Sequence, residues 1–380
     1  MEKIRLGDAC EILNGYAFKS DKYVEDGIRI IRIANVQKGY IEDNSPVFYS
    51  TDFGGLEKYM LVENDLLMSL TGNVGRVALL QKEMLPAALN QRVACLRLKT
   101  DKITKSYLFH ILNSNFFEQQ CVRVSNGVAQ KNMSTEWLKD YEIPLYSIEE
   151  QLKISYILDK TRKIISARND ELVLLDDFIK ARFVELFGNP IKNEKHWETF
   201  KLGECLKRID NGKSFTCDVQ ARTGEYPAIL KLSAVTYGDY RPEENKALLD
   251  EKQFVESTEV HSGDLLFTRK NTPELVGMAA YVYNTPNHLM MPDLIFRLVP
   301  NERMTAIFLW QLINNREFRP VIQSIAGGSA KSMSNISKER LSNISVICPP
   351  IAEQIRLNEM IHQINKSKLQ PPLQKGGIAC

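Results

Sequence analysis

The chain carries nearly the same sequence twice, about two hundred residues apart, and an ordered repeat of that length restricts the fold to two copies of one domain. Lys3 to Phe18 reads KIRLGDACEILNGYAF and Thr199 to Phe215 reads TFKLGECLKRIDNGKSF, which pairs Leu6 and Gly7 with Leu202 and Gly203. Further along, Ile31-Arg32-Ile33 matches Leu230-Lys231-Leu232, Asp65-Leu66-Leu67 matches Asp264-Leu265-Leu266, and Leu96-Arg97-Leu98 matches Phe296-Arg297-Leu298. Met133-Ser134 then matches Met333-Ser334, and Ile148-Glu149-Glu150-Gln151 matches Ile351-Ala352-Glu353-Gln354. Copies that share these points and differ between them have the form of one reading device built twice, each copy with its own target.

A chain of 380 residues with 44% hydrophobic residues can bury two substantial cores, in agreement with the repeat. A formal charge of +2 neither announces nor forbids a nucleic-acid partner, since a basic face can form locally. The seven cysteines (Cys10, Cys95, Cys121, Cys205, Cys217, Cys348, Cys380) are odd in number and form no CxxC, which argues against a disulfide framework or a zinc ribbon. No apolar run reaches the roughly 18 residues of a membrane span, and MEKIRLGDA lacks the apolar core of a signal peptide. The expectation is a soluble protein of the reducing cytoplasm, with no membrane partner.

Short strand-like runs such as Ile28 to Ile33 and Val93 to Leu98 alternate with turn clusters, which predicts a mixed α/β (α+β) domain rather than a parallel βαβ series. Each copy then shows a helical pattern: Leu108, Ile111, Leu112 and Phe116 share a face in the first, and Phe308, Leu309, Leu312 and Phe318 in the second. After Pro144 comes the longest periodic segment, 148–187, in which Leu158, Thr161, Ile165, Arg168, Leu172, Leu175, Ile179, Arg182 and Leu186 step by three and four. At about 1.5 Å per residue such a helix spans roughly 57 Å, enough to space two domains, and its apolar strip wants a partner helix. Gly188-Asn189-Pro190 ends it. A comparable helix begins at Ile351 and reaches Lys368, about half as long, as if shortened by a truncation or frameshift; 369–380 has no periodicity and reads as a disordered tail.

Catalytic signatures are missing. Gly212-Lys213-Ser214 has the end of a phosphate-binding loop, but Lys207 stands where that loop needs its earlier glycine. The five histidines form no HExxH and no pair at ligand spacing. Pro292-Asp293 resembles the start of a nuclease metal site, yet no acidic-x-Lys follows, so a strand-end turn is the plainer reading. There is no GxSxG, no GxGxxG opening a helix, and no Asn-Pro-Pro-aromatic or Asp-Pro-Pro-aromatic loop of the amino-methyltransferase kind.

Three loop regions in each copy combine small residues with donors suited to phosphates or base edges. The first copy offers Gly15-Tyr16-Ala17-Phe18-Lys19, the Ser69 to Arg76 segment containing Thr71 and Asn73, and the Ser125 to Asn132 segment containing Gln130 and Lys131. The second offers Gly212-Lys213-Ser214-Phe215, Thr268-Arg269-Lys270-Asn271-Thr272, and the Gly327 to Ser332 segment containing Lys331. Arg pairs with guanine O6 and N7, and Asn or Gln with adenine N6 and N7. Asn73, Arg76, Gln130, Arg269 and Asn271 are therefore the expected readers, and Lys19, Lys131, Lys213 and Lys331 the expected phosphate contacts. On the long segment, Leu158, Ile165, Arg168, Leu172, Leu175, Ile179 and Arg182 form the expected docking strip, with Arg168 and Arg182 placed to pair with acidic residues of another subunit.

These residues resemble the DNA-specificity subunits of type I restriction-modification systems. The resemblance covers residues 1 to about 368 and is carried by Leu6-Gly7-Asp8 and Leu202-Gly203-Glu204, by Asn64-Asp65-Leu66-Leu67 and Gly263-Asp264-Leu265-Leu266, and by Ile143-Pro144 before Ile148-Glu149-Glu150-Gln151. Phe187-Gly188-Asn189-Pro190, followed by His196-Trp197-Glu198, looks like that family's junction between domains. The resemblance implies target-recognition domains at 1–147 and 188–350, a spacer helix at 148–187 and a distal spacer helix at 351–368. It implies that each domain reads half of a split double-stranded DNA site. Two methyltransferase subunits would dock on the helices and modify adenine N6 with S-adenosylmethionine, restriction subunits would join, and this chain would hold neither cofactor nor metal and be no enzyme itself. The alternatives are a scaffold of duplicated domains without DNA binding, separated by the salt dependence of duplex binding, or a truncated, exchangeable specificity allele.

Overall fold

Apolar runs buried on both faces, such as Leu66–Ser69 and Leu265–Thr268, form the inner strands of a four-stranded sheet in each copy of the repeat. The computed structural model describes residues 2–125, 133–327 and 333–369, and it divides into two compact units, Met1–Ala167 and Arg168–Cys380. In the first unit the sheet runs Cys10–Asn14, Val93–Leu98, Leu66–Ser69, Val77–Leu79, all antiparallel. The second unit repeats that order with Leu206–Asn211, Ile295–Pro300, Leu265–Thr268 and Ala279–Tyr281. A smaller sheet in each contains one parallel pair, Ile28–Ile31 with Ala87–Leu89 and Ala228–Leu230 with Leu289–Met290. The mixed α/β architecture and its duplication are as the sequence predicts.

The matched residues turn out to be places where the backbone is pinned. A Cβ on Gly7 would lie 3.0 Å from Lys139 Cβ and one on Gly203 3.0 Å from Ser342 Cβ, so both glycines admit a short helix onto the first turn of the domain. Gln151 accepts from Thr104 N at 2.8 Å and donates to the Lys102 and Tyr146 carbonyls. Gln354 accepts from Thr305 N at 2.8 Å and donates to the Arg303 and Pro349 carbonyls. Both glutamines are fully buried, so each spends its whole amide on fastening the start of a spacer helix to its domain. Asp65 receives two bonds from Arg97, at 3.0 and 2.7 Å, and Asp264 lies 2.9 Å from Arg297 Nε. The expected match of Arg97 with Arg297 does not hold: Leu66 pairs with Leu96 and Leu265 with Leu298, so Arg297 takes the place of Cys95 and reaches the matched aspartate from two residues away. Burial lifts the Asp264 carboxyl above its ordinary pKa, against the pull of the His261 N–H and Arg297.

One helical face departs from expectation. The first copy has two helices, Lys105–Leu112 and Asn115–Ser125, because Asn113 caps one and the Ser114 hydroxyl accepts from Phe117 N to start the next. That interruption shifts the phase: Phe117 is fully buried and Phe116 is 65% exposed, the reverse of an unbroken helix. In the second copy Phe308, Leu309, Leu312 and Phe318 are all buried as predicted.

The long helix, Ile148–Phe187, has 40 residues and ends where Gly188 takes φ +76° and donates to the Val184 carbonyl. Its first turns pack on the first unit, where His110 Nε2 sits 2.8 Å from Asp159 Oδ1. In the second unit, Ile179, Phe183 and Phe187 join a core with Leu357, Ile361 and Ile364 of the distal helix, Ile351–Leu369. Arg168 Nη2 donates to the Ser367 and Lys368 carbonyls at 3.0 and 2.7 Å and so holds the distal helix's last turn. The expected tail from 370 onward lies outside the described residues, and no described helix is long and apolar enough to cross a membrane.

Candidate nucleic-acid interface

Backbone hydrogen bonds gather the candidate loops at one rim of each unit. In the first, Tyr16 N donates to Leu89 O, Gln91 N to Tyr16 O, Leu70 N to Arg92 O and Met133 N to Leu70 O, at 2.8 to 3.0 Å. In the second, Lys213 N donates to Met291 O, Arg269 N to Leu294 O and Ile336 N to Arg269 O, again at 2.8 to 3.0 Å. A fourth loop, missed by the sequence reading, therefore lies between the others: Asn90-Gln91-Arg92 in the first unit and Pro292-Asp293-Leu294 in the second. Its one signal in the sequence is a turn residue, Asn90 or Pro292, shortly before a matched strand.

The rim glycines act differently from expectation. A Cβ on Gly15 would fall 2.2 Å from Leu89 O and one on Gly212 2.1 Å from Pro292 O, so these glycines admit the protein's own backbone and leave no gap for a ligand. The second loop is built on the same neck in both units. Gly75 N donates to Ser69 O at 2.9 Å and Gly277 N to Thr268 O at 2.8 Å, while the Ser69 and Thr268 hydroxyls, both buried, accept from Arg76 N and Met278 N.

The expected reader Asn73 and the expected phosphate contacts Lys19 and Lys213 project from the rim as exposed side chains. The Lys19 backbone is clamped on both sides by the Tyr49 hydroxyl, at 2.7 and 2.9 Å. Tyr16 is half-buried in an aromatic cluster, with ring centroids 5.0 Å from Phe18 and 5.4 Å from Tyr59. Thr71 is half-buried, and its hydroxyl has no hydrogen-bond partner among the described residues. Arg76 is half-buried and turned inward, donating to Gln37 at 2.5 Å with Glu118 3.8 Å away, so part of its charge is spent within the unit. Arg269 lies over the Phe296 ring, 5.0 Å from the centroid, and reaches Asn335 Oδ1 at 3.3 Å. Lys270 is half-buried beside it. Asn271 is buried: its amide donates to Thr236 Oγ1 at 3.1 Å and accepts from Thr272 N at 2.8 Å, so it is turned into the unit and away from a base edge. Gln130, Lys131 and Lys331 lie outside the described residues. The fourth loop adds Gln91 and Arg92, both exposed, and Arg92 has no ion-pair partner among the described residues.

The docking strip divides as well. Leu158 and Ile165 are exposed, Leu172 and Leu175 are half-covered, and Ile179 is 4% exposed inside the second unit's core. Arg168 and Arg182 pair with Glu171 and Glu185 on their own helix. Also exposed are apolar side chains that the strip omitted: Tyr156, Ile157 and Ile164 in the first unit, and Val173, Leu174 and Phe178 in the second, at 49 to 68%.

The described residues contain no cluster of His, Cys, Asp and Glu able to hold a metal. Burial pushes the thiols of Cys10, Cys95, Cys121 and Cys205 up to about 12, so they stay protonated and inert.

The duplicated sequence has a counterpart in known proteins. The family described as type I restriction modification DNA specificity domain matches residues 1–174 and again 194–370. The chain belongs to this family. Among its relatives, the EcoEI specificity subunit of Escherichia coli is 31% identical over 172 residues, which cover 45% of this chain and 29% of that one. The EcoKI specificity subunit of Escherichia coli K12 is 21% identical over 383 residues, covering 93% of this chain and 79% of that subunit. The alignment to the EcoEI subunit thus spans under a third of that relative's length. The crystal structure of the type I restriction-modification S subunit from M. genitalium superposes over 97% of this chain and 90% of its own, with a TM-score of 0.56 at 14% identity. At that identity the likeness speaks for the fold of this specificity-domain chain.

Proposed function

We propose that the chain is the sequence-reading subunit of a type I restriction-modification assembly. Each unit's four-loop rim contacts one half of a split double-stranded DNA site. The observation that carries this reading is that one rim is built twice on necks closed by the same backbone bonds while the residues it displays differ. Asn73, Gln91, Arg92 and Arg269 face base edges, and Lys19, Lys213 and Lys270 the phosphates. Tyr16 and Thr71 support these loops. Gln130, Lys131 and Lys331 are proposed as further DNA contacts.

The assembly's chemistry resides in partners. Methyltransferase subunits bearing S-adenosylmethionine dock on the long helix through Ile157, Leu158, Ile164 and Ile165 in the first unit and Leu174 and Phe178 in the second. The chain itself is no enzyme and works on DNA in the cytoplasm, with restriction subunits joining the methylating complex.

The test is methylation mapping by long-read sequencing in cells that carry this chain with its partner methyltransferase, against cells lacking only this chain. A chain-dependent bipartite adenine-methylated motif is the expected result. Its absence with the methyltransferase present, together with duplex binding that does not weaken as salt rises, refutes the reading.

A further inference from the structure

We infer that Asp293 reads the amino group of a cytosine and so determines one position of the half-site assigned to the second unit; this rests on the DNA-reading function proposed above. In the sequence, Pro292-Asp293 is a strand-end dipeptide without the rest of any nuclease motif. In the structure that strand end is the fourth rim loop. Its neighbours on either side are Lys213, whose N–H bonds Met291 O, and Arg269, whose N–H bonds Leu294 O.

The Asp293 carboxylate is aimed by one neighbour. Ser214 Oγ donates to Asp293 Oδ1, and Asp293 N donates back to the same Oγ at 3.2 Å. This reciprocal pair fixes the carboxylate and leaves Oδ2 without a hydrogen-bond or ion-pair partner among the described residues.

A fixed anion on a DNA-facing rim is repelled by phosphates, so it cannot be a backbone contact. The duplex partners that suit it are exocyclic amino donors in the major groove, and a carboxylate pairs there with cytosine N4. The first unit's corresponding loop offers Gln91 and Arg92, an amide and a guanidinium, in place of an anion. Equivalent backbone bonds to Leu89 and Met291 and to Arg92 and Leu294 make Gln91 the counterpart of Asp293, so the two rims present an amide and an anion at one place, which suits different bases.

The experiment uses the full chain with its methyltransferase partner for motif mapping, and the purified full chain for competition between duplexes that differ at single positions. Asp293→Asn keeps an Oδ1 acceptor for Ser214 and turns the free oxygen into a donor. The expected result is a change of preferred base at one position of one half-site, from cytosine to a base with an acceptor, with relative affinities moving by about tenfold or more. The other half-site and the gap stay as they were. Ser214→Ala, which leaves the carboxylate but removes its tether, should weaken discrimination at that same position only.

An unchanged motif in Asp293→Asn, or a uniform weakening at all positions, overturns the inference while leaving DNA reading intact. If Asp293→Asn fails to fold, Ser214→Ala decides, and unchanged discrimination there is the refuting result. A wild-type chain that shows no base preference in either half overturns the DNA-reading function itself, which is a separate failure.

Discussion

Between Ser69 and Gly75 the first unit has five residues, and between Thr268 and Gly277 the second has eight, yet both necks close with the same glycine-to-carbonyl bond, at 2.9 and 2.8 Å. The added length is tied down by a short strand pair, Lys270–Asn271 with Ser334–Asn335, which has no counterpart among the described residues of the first unit. The comparison teaches where this architecture tolerates change. Residues that close a neck or fill a buried bond are held, and residues displayed beyond the neck vary in number, charge and hydrogen-bond sense.

The strongest challenge to that equivalence is to place a methyl group where two backbones touch. Gly15→Ala and Gly212→Ala, with Cβ atoms 2.2 and 2.1 Å from a carbonyl oxygen, should each destabilise their own unit by about 3 kcal/mol in urea unfolding. A large loss in one unit and none in the other would show that the rims are not built alike. Next come the buried amides: Gln151→Ala and Gln354→Ala each strip three hydrogen bonds and orphan a backbone N–H, for about 2 kcal/mol apiece. Unequal losses would mean that the two spacer helices are fastened differently.

Smaller and more selective is Arg269→Ala, which should remove roughly 1 to 2 kcal/mol of discrimination in one half-site and leave the other unchanged. Uniform weakening across all duplexes would reassign Arg269 to the phosphates. Smallest is Arg168→Ala, which uncaps the distal helix's last turn and should raise amide exchange near Ser367 by about 0.5 kcal/mol of opening free energy, with no change in the first unit. Unaltered exchange there would make the cap incidental.

The parts legible in the sequence were those imposed by the backbone. Gly7, Gly15, Asp65 and Gln151 recur as Gly203, Gly212, Asp264 and Gln354 because each answers a steric or bonding demand that few other residues meet. The long helix was legible from its period and its Gly188 stop. Side-chain direction was not. Nothing local distinguishes Asn73, which faces out, from Asn271, whose amide is claimed by Thr236 from another part of the chain. Ser114 reads equally well as a helical residue or a cap, so the phase slip at Phe116 was invisible. The fourth loop was overlooked because Asn90-Gln91-Arg92 and Pro292-Asp293-Leu294 share no residue, and a search for recurrence passes over them. On the long helix, counting one strip hid Ile164 and Phe178 on another face.

Each copy of the repeat is closed by paired strands, Lys3–Arg5 against Glu142–Pro144 and Thr199–Lys201 against Ser345–Ile347. Its entry and exit therefore lie side by side, fastened by backbone bonds that do not depend on which side chains the strands carry. A stretch of gene bounded at those two points can be inherited as a block, and a new block arrives with its own rim while meeting the rest of the chain through the same two strands.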